Sequence, residues 1–368
     1  MDFTFTQEQE MLRDAAARLL SQHYDFDQRQ RIVGSSNGRS VEMWRQFQDM
    51  GLLITAFAED RGGFGGKASD ILVISELLGQ HLVVEPYLPS ILFAGRALAR
   101  ITDHTGASRW LDRLMEGSAL GALAHEEGRG TAHIHAIATT LSLDGDAYVL
   151  NGEKRLVLAG GDADLLVVTA RTSGGALALL LVDAAQVGVT RDAYVTIDGR
   201  RAANIRFDNV RLDADAVALN DAAGVIQDIV NDAIFALSAE AVGSMGALLA
   251  ASVEYAATRK QFGVAIGSFQ ALAHRLADMK LAFAKARSTL FYTAAIIESE
   301  QADTRTYSLL KAQVGRLGRA IAESAVQIHG GVGTTDEVAV GHHLKRIMTV
   351  DAMFGSVDYH LRLVGAPG

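Results

Sequence analysis

The chain has 368 residues, 49% of them apolar, with three prolines (Pro86, Pro89 and Pro367), which is enough for two or three packed domains built on long helices. The lack of cysteine excludes disulfides, thiolate metal sites and thiol nucleophiles, and a net charge of -9 without a basic stripe argues against nucleic acid as a partner. No basic segment precedes an apolar run after Met1-Asp2-Phe3, and no unbroken apolar stretch reaches the ~18 residues of a membrane helix, so neither a signal peptide nor a membrane partner is expected and a cytoplasmic location is.

Residues 1–117 read as a helical domain. Thr6 followed by Gln9 makes a capping box, and Met11, Leu12, Ala15, Leu19 and Leu20 behind it fall on one helical face. Gly62-Gly63-Phe64-Gly65-Gly66 is a loop. No Lys-Ser/Thr pair follows it at P-loop spacing, so it reads as a turn and not as a phosphate cradle. Ser69 is placed to cap the next helix, whose apolar face runs from Ile71 to Leu78.

Residues 118–222 change period. The turn pairs Asp144-Gly145, Asn151-Gly152 and Asp198-Gly199 separate short runs rich in Val, Leu, Tyr and Thr. Ala203, Ile205 and Phe207 alternate with Asn204 and Arg206, as in a half-buried strand, so an antiparallel β-barrel or sandwich is expected. His133 and His135 would share a strand face, but no acidic or histidine partner stands at ligand spacing and no metal site is predicted.

Residues 223–368 return to helical spacing: Ile226 to Arg259, about Phe269 to Glu300, about Arg305 to Ile328 and about Asp336 to Val350, a four-helix bundle. The predicted fold class is therefore α+β and multidomain. Two motifs in the bundle could carry chemistry. Arg259-Lys260-Gln261-Phe262-Gly263 either complements a helix dipole and stops the helix, or offers an arginine fork to a phosphate. Gln327-Ile328-His329-Gly330-Gly331 is either a C-cap or a place where a ligand approaches the backbone. His342 and His343 are adjacent on a helix and diverge, which makes them a poor metal pair.

In this domain order, Tyr255 to Gly263, Ile266-Gly267-Ser268-Phe269-Gln270 and Gln327 to Gly333 resemble the acyl-CoA dehydrogenase family. Gly62 to Gly66, Asn151-Gly152-Glu153-Lys154 and Ala163-Asp164 match its earlier domains, so the likeness runs nearly end to end. Within the family it is similar to the small subunit of pimeloyl-CoA dehydrogenase and to subunits of heteromeric steroid-degrading enzymes. The resemblance implies α,β-desaturation of an acyl-CoA, with FAD lying across a subunit interface and an electron-transferring flavoprotein as acceptor. It implies that Arg259 contacts the FAD pyrophosphate of a neighbouring chain. Gln261, Phe262 and Gln270 would line the same cofactor, and Gln327, Gly330 and Gly331 would pack near its adenosine end.

The catalytic half of the pattern is missing. The glutamate that takes the α-proton stands at one of two places in the family, and these are Phe354 and Ala233 here; neither accepts a proton. Asp351, one turn from Phe354, is the nearest substitute, while Asp232 points away and Glu240 lies too far along. His125-Glu126-Glu127-Gly128-Arg129-Gly130-Thr131 replaces a Thr-Glu-Pro and Gly-Ser-Asp loop, and Leu156 and Leu158 replace an aromatic and a threonine against the flavin ring. The expectation is the half of a heteromer that lacks the base, acting with a homologous sister subunit on a dicarboxylic or steroid-derived acyl-CoA. The alternatives are a self-sufficient homomeric dehydrogenase or oxidase with a displaced base, and a structural partner that binds no flavin. Arg129 or Arg155 could meet a distal carboxylate, although each also reads as a solvated surface arginine.

Overall fold

The computed structural model describes residues 5–128 and 134–366, so the expectations for Arg129, Gly130, Thr131 and His133 lie outside the described residues. The described residues form two compact units, each drawn from separate stretches of chain. The order of elements is helices, then strands, then long helices, which is the predicted fold class.

One unit comprises the stretch ending at Arg31, Ala68–Val83, and the chain from Ile234 onward. It opens with α1 (Gln7–His23) on the predicted capping box: Thr6 Oγ1 accepts the Gln9 N–H at 3.2 Å, and the Thr6 N–H donates to Gln9 Oε1 at 3.1 Å. The buried face of α1 is Gln9, Ala16 and Leu20, whereas Met11, expected on it, is 64% exposed. α2 spans Phe26–Val33 and α4 spans Ala68–Gln80. The long bundle helices are α7 (Ala223–Thr258, the part from Ile234), α8 (Gln270–Glu298), α9 (Thr304–His329) and α10 (Ala339–Ala352), with a short α11 (Val357–Gly365) after them. α7 is long and apolar enough to cross a membrane by length and composition, but its most apolar window is 83% buried within the protein, as a core helix would be. Ser69 does not cap α4. It lies inside the first turn, and its N–H and hydroxyl both donate to Glu298 of α8, at 2.8 and 2.7 Å.

Helices α4 and α7 touch backbone to backbone. A Cβ on Gly79 would lie 1.8 Å from the Glu240 carbonyl oxygen, and one on Gly243 would lie 1.8 Å from that of Glu76. Only glycine fits either place. The Ser244 hydroxyl donates to the Gly79 carbonyl at 3.0 Å and locks the crossing. Beside it, Arg346 of α10 donates to Glu240 of α7 at 2.6 Å, with both side chains buried.

The other unit comprises Ile32–Lys67 and Val84–Ala233. Its helical part holds α3 (Val41–Asp49), a buried π-helical stretch (Tyr87–Gly95), α5 (Arg96–Ala99) and α6 (Thr105–Met115). Its sheet holds β1 (Gly121–Ala124), β2 (Thr140–Asp144), β3 (Ala147–Leu158), β4 (Leu165–Thr172), β5 (Leu177–Asp183), β6 (Val189–Val195), β7 (Arg201–Leu212) and β8 (Val217–Leu219). The order is β6-β7-β3-β2-β4-β5-β8, with β1 also on β4. Most pairs are antiparallel as expected, but β1 and β2 both run parallel to β4. The predicted alternation in β7 holds: Ala203, Ile205 and Phe207 are buried, Asn204 is half-buried and Arg206 is exposed.

Asp144-Gly145 and Asp198-Gly199 turn the chain between β2 and β3 and between β6 and β7. Asn151-Gly152 does not. Both residues lie within β3 at a bulge, where Gly152 takes φ 147° and a Cβ would meet Thr139 Oγ1 at 2.6 Å. The glycine signals a close approach and not a reversal. His135 falls in a 3-10 turn, Ile134–Ala136, and not on a strand. Among the described residues no group of histidines and acids could hold a metal.

Candidate functional site

α7 ends at Thr258 because the chain turns into a two-residue hairpin. β9 (Lys260–Gln261) pairs with β10 (Val264–Ala265) across Phe262-Gly263. Phe262 and Gly263 take φ 52° and 84°, the two positive angles of a type I′ turn. The Arg259 N–H still donates to the Tyr255 carbonyl at 2.9 Å, and the Ile266 N–H donates back to the Arg259 carbonyl at 2.8 Å, so the corner is tied at both ends. Arg259 and Gln261 are exposed, as is Gln270, the first residue of α8. Among the described residues Arg259 makes no ion pair. Phe262 at the hairpin tip is 92% exposed and meets Phe269 edge to face at 6.2 Å. A large apolar side chain in left-handed backbone, almost wholly exposed, costs stability that the edge contact with Phe269 offsets only in part.

The second motif ends α9. Gly330 takes φ 65°, ψ -143°, a combination reserved for glycine, and its N–H donates to the Val326 carbonyl. A Cβ on Gly330 or on Gly331 would meet nothing within 4 Å, so neither glycine is demanded by packing, and the backbone there is open to a ligand. Gln327 beside them is exposed. The two motifs meet in a contact that the sequence did not reveal: the rings of Tyr255 and His329 stack at 4.4 Å and 26°. An exposed guanidinium, an aromatic tip and a bare glycine backbone fit an elongated anionic ligand with an aromatic portion, which is the chemistry of a dinucleotide.

The two expected base positions contain no acid. Ala233 is fully buried inside α7. Phe354 is buried at φ 51°, and its carbonyl lies 2.8 Å from His360 Nε2, whose other ring nitrogen meets Ser308 at 3.1 Å. Burial holds the His360 pKa down to about 4, so that imidazole is neutral near neutrality. Asp351 accepts the Val357 N–H at 3.1 Å, beside Ser356, whose hydroxyl caps α11 by accepting the Tyr359 N–H at 3.3 Å; nearby, Lys345 pairs with Asp336 and Arg346 with Glu240. Asp232 holds Arg96 at 2.9 Å and Arg100 at 2.6 Å.

In the sheet unit Leu156 is half-buried and Leu158 buried, and neither side chain offers a hydrogen bond. Leu158 lines a cavity of about 20 Å³, room for about one water, together with Arg39, Glu85 and Arg201. Lys154 is fully buried. Its ammonium donates to Glu127 at 2.7 Å, to the His125 carbonyl at 3.1 Å and to Thr169 at 3.1 Å. Burial lowers its pKa to about 8. Glu127 also accepts the Ala138 and Thr139 N–H groups, so it ties the buried ammonium to the chain just before β2.

Three family models match in chain order: "Acyl-CoA dehydrogenase, N-terminal domain" over residues 6–118, "middle domain" over 122–210 and "C-terminal domain" over 221–367. Among curated relatives, an acryloyl-CoA reductase (NADH) of Anaerotignum propionicum is 26% identical over 98% of this chain and 94% of its own length. Among solved structures, the ChsE4-ChsE5 complex of Mycobacterium tuberculosis matches with TM-score 0.89 at 26% identity, covering all of both chains. A steroid acyl-CoA dehydrogenase variant, Tcur3481-Tcur3483, matches with TM-score 0.89 at 25% identity, over 98% of this chain and 97% of its own.

Proposed function

The chain belongs to the acyl-CoA dehydrogenase family of FAD-dependent oxidoreductases, and we propose that it is the half of a heteromer that grips the cofactor while a homologous sister chain supplies the catalytic base. One observation carries the reading. Arg259, Phe262 and Gly330-Gly331 are exposed, Arg259 makes no ion pair among the described residues and a side chain at either glycine would meet open space, while both base positions are the buried, non-ionisable Phe354 and Ala233. The resemblance of this chain to a two-protein complex supports a sister subunit.

FAD, when bound, supplies the acceptor for the hydride that leaves the β-carbon of the thioester. Arg259 neutralises pyrophosphate charge through its planar fork. Phe262 offers an apolar face, with Gln261, Gln270 and Gln327 as hydrogen-bonding neighbours. Gly330 and Gly331 let the adenosine end approach the backbone. The α-proton goes to a carboxylate of the sister chain, because no carboxylate here is free at either position. Asp351, the candidate displaced base, is committed to the N–H of α11. The substrate class this reading favours is a steroid-derived or dicarboxylic acyl-CoA, the former supported by the steroid dehydrogenase neighbour. An electron-transferring flavoprotein is the proposed oxidant.

The test is purification of this chain alone and together with its sister. Turnover with bound FAD is expected only for the pair; a lone chain that is yellow and fully active overturns the partner requirement. Peroxide formed in step with turnover would make the enzyme an oxidase. In the pair, Arg259→Ala should weaken FAD binding about thirtyfold or more, the usual effect of truncating one side of a close charge pair. Undiminished FAD affinity would instead make the chain a structural partner.

A further inference from the structure

Arg259 and the Gly330-Gly331 backbone sit at the ends of two different helices, far apart in sequence, and a ring stack ties those ends together. Tyr255 lies in the last turn of α7, and its carbonyl accepts the Arg259 N–H at 2.9 Å, so ring and guanidinium stem leave the same turn. His329 is the last residue of α9, directly before Gly330. The two rings stack at 4.4 Å and 26°.

The imidazole is fixed in this pose. Its Nδ1 lies 2.8 Å from the Ala325 carbonyl. A carbonyl only accepts, so Nδ1 carries the proton and the ring is held in its own helix. Beyond it the chain enters a 3-10 helix, Gly330–Thr334, where the Thr334 hydroxyl donates to the Gly331 carbonyl at 2.8 Å, and side chains at Gly330 or Gly331 would stand in open space. On the other side, Gly267 of the hairpin return packs so close that a Cβ on it would lie 3.0 Å from the Ala256 carbonyl oxygen, which holds the corner carrying Arg259 tightly. The stack thus joins the hairpin corner to the start of that 3-10 helix.

We propose that Tyr255 and His329 are positioning residues for FAD: their stack sets the register between the Arg259 side chain and the Gly330-Gly331 backbone, so that both engage one dinucleotide. This rests on the reading of those motifs as FAD contacts given above. Neither ring needs to touch the cofactor. They act by preorganising two contact points that would otherwise be ordered at the moment of binding.

The experiment measures FAD affinity of the purified assembly by flavin fluorescence for Tyr255→Phe and Tyr255→Leu, each with and without Arg259→Ala, alongside melting of the FAD-free assembly. Tyr255→Phe keeps the stack and should bind within about twofold of the parent. Tyr255→Leu keeps bulk but loses the ring interaction and should bind about three- to tenfold more weakly, with a fall in FAD-free stability smaller than the loss of binding free energy. In the Arg259→Ala background the same substitution should cost less, because the residues act as a unit. An unchanged affinity for Tyr255→Leu, a loss matched by an equal fall in FAD-free stability, or full additivity with Arg259→Ala each overturns the proposal. If Arg259→Ala itself leaves affinity unchanged, the underlying reading falls and this one with it; if Arg259→Ala weakens binding and Tyr255→Leu does not, only the positioning role falls.

Discussion

Gly330 and Gly331 are neighbours with opposite demands on the backbone. Gly330 holds a left-handed φ of 65°, so Gly330→Ala should cost about 1–3 kcal/mol in strain. Gly331 has no positive φ, and a methyl there would meet nothing within 4 Å. Gly331→Ala should therefore leave the thermal midpoint of the FAD-free protein within error and still weaken FAD binding, since a side chain would occupy the approach. A calorimetric scan and an FAD titration of the two variants separate the C-cap from the ligand role, which sequence alone left open. A stability loss for Gly331→Ala, or intact FAD binding, would return that glycine to the cap.

At the scale of elements, the crossing of α4 and α7 is the least tolerant place in the helical unit. Gly243→Ala would drive a methyl into the Glu76 carbonyl and should destabilise by more than about 3 kcal/mol, because two backbones have to separate. Glu240→Ala should cost about 3–5 kcal/mol by stranding the buried Arg346 guanidinium, and urea denaturation reads both. The long helices were legible in the sequence because their 3.6-residue period persists for many turns; α8 and α9 begin and end within a residue or two of their predicted places. α11 was missed because it spans only nine residues, too few for a helical period to stand out, although Ser356 stands before it as its cap. Gly152 was misread because a glycine that admits Thr139 looks, in one dimension, like a glycine that reverses the chain. Parallel pairing of β1 and β2 with β4, the Gln9–Asp70 bond and the Tyr255–His329 stack are contacts between distant stretches, and no local pattern encodes them. The site motifs were legible only as motifs; what the fold adds is that one is a hairpin tip, the other an open backbone, and that they touch.

Over the whole molecule, acid should be more damaging than base. Burial holds His125 and His343 to about 3 and His360 to about 4, and cationic neighbours (Lys154 at His125; Arg346, Arg29, His342 and His81 at His343) push the same way. Unfolded, each takes a proton near 6.5. Stability from keeping them neutral is thus complete above that value and is lost as pH falls toward 3–4, at up to about 1.4 kcal/mol per pH unit for each histidine. The urea midpoint should drop between about pH 7 and about pH 5, and His343→Leu should make that drop shallower; an unchanged slope would mean that this ring takes up its proton without unfolding. The hairpin tip has a consequence for the cell rather than for the fold. A type I′ turn prefers Asn-Gly, so Phe262→Asn should raise the stability of the lone chain by about 0.5–1 kcal/mol while removing the ring a cofactor or neighbour would meet. Each unassembled copy carries that phenyl group at its surface beside the partly exposed Phe269, a small apolar spot that assembly would cover. On the proposed heteromer, this polypeptide made in excess should aggregate more than when its partner is made in matched amount.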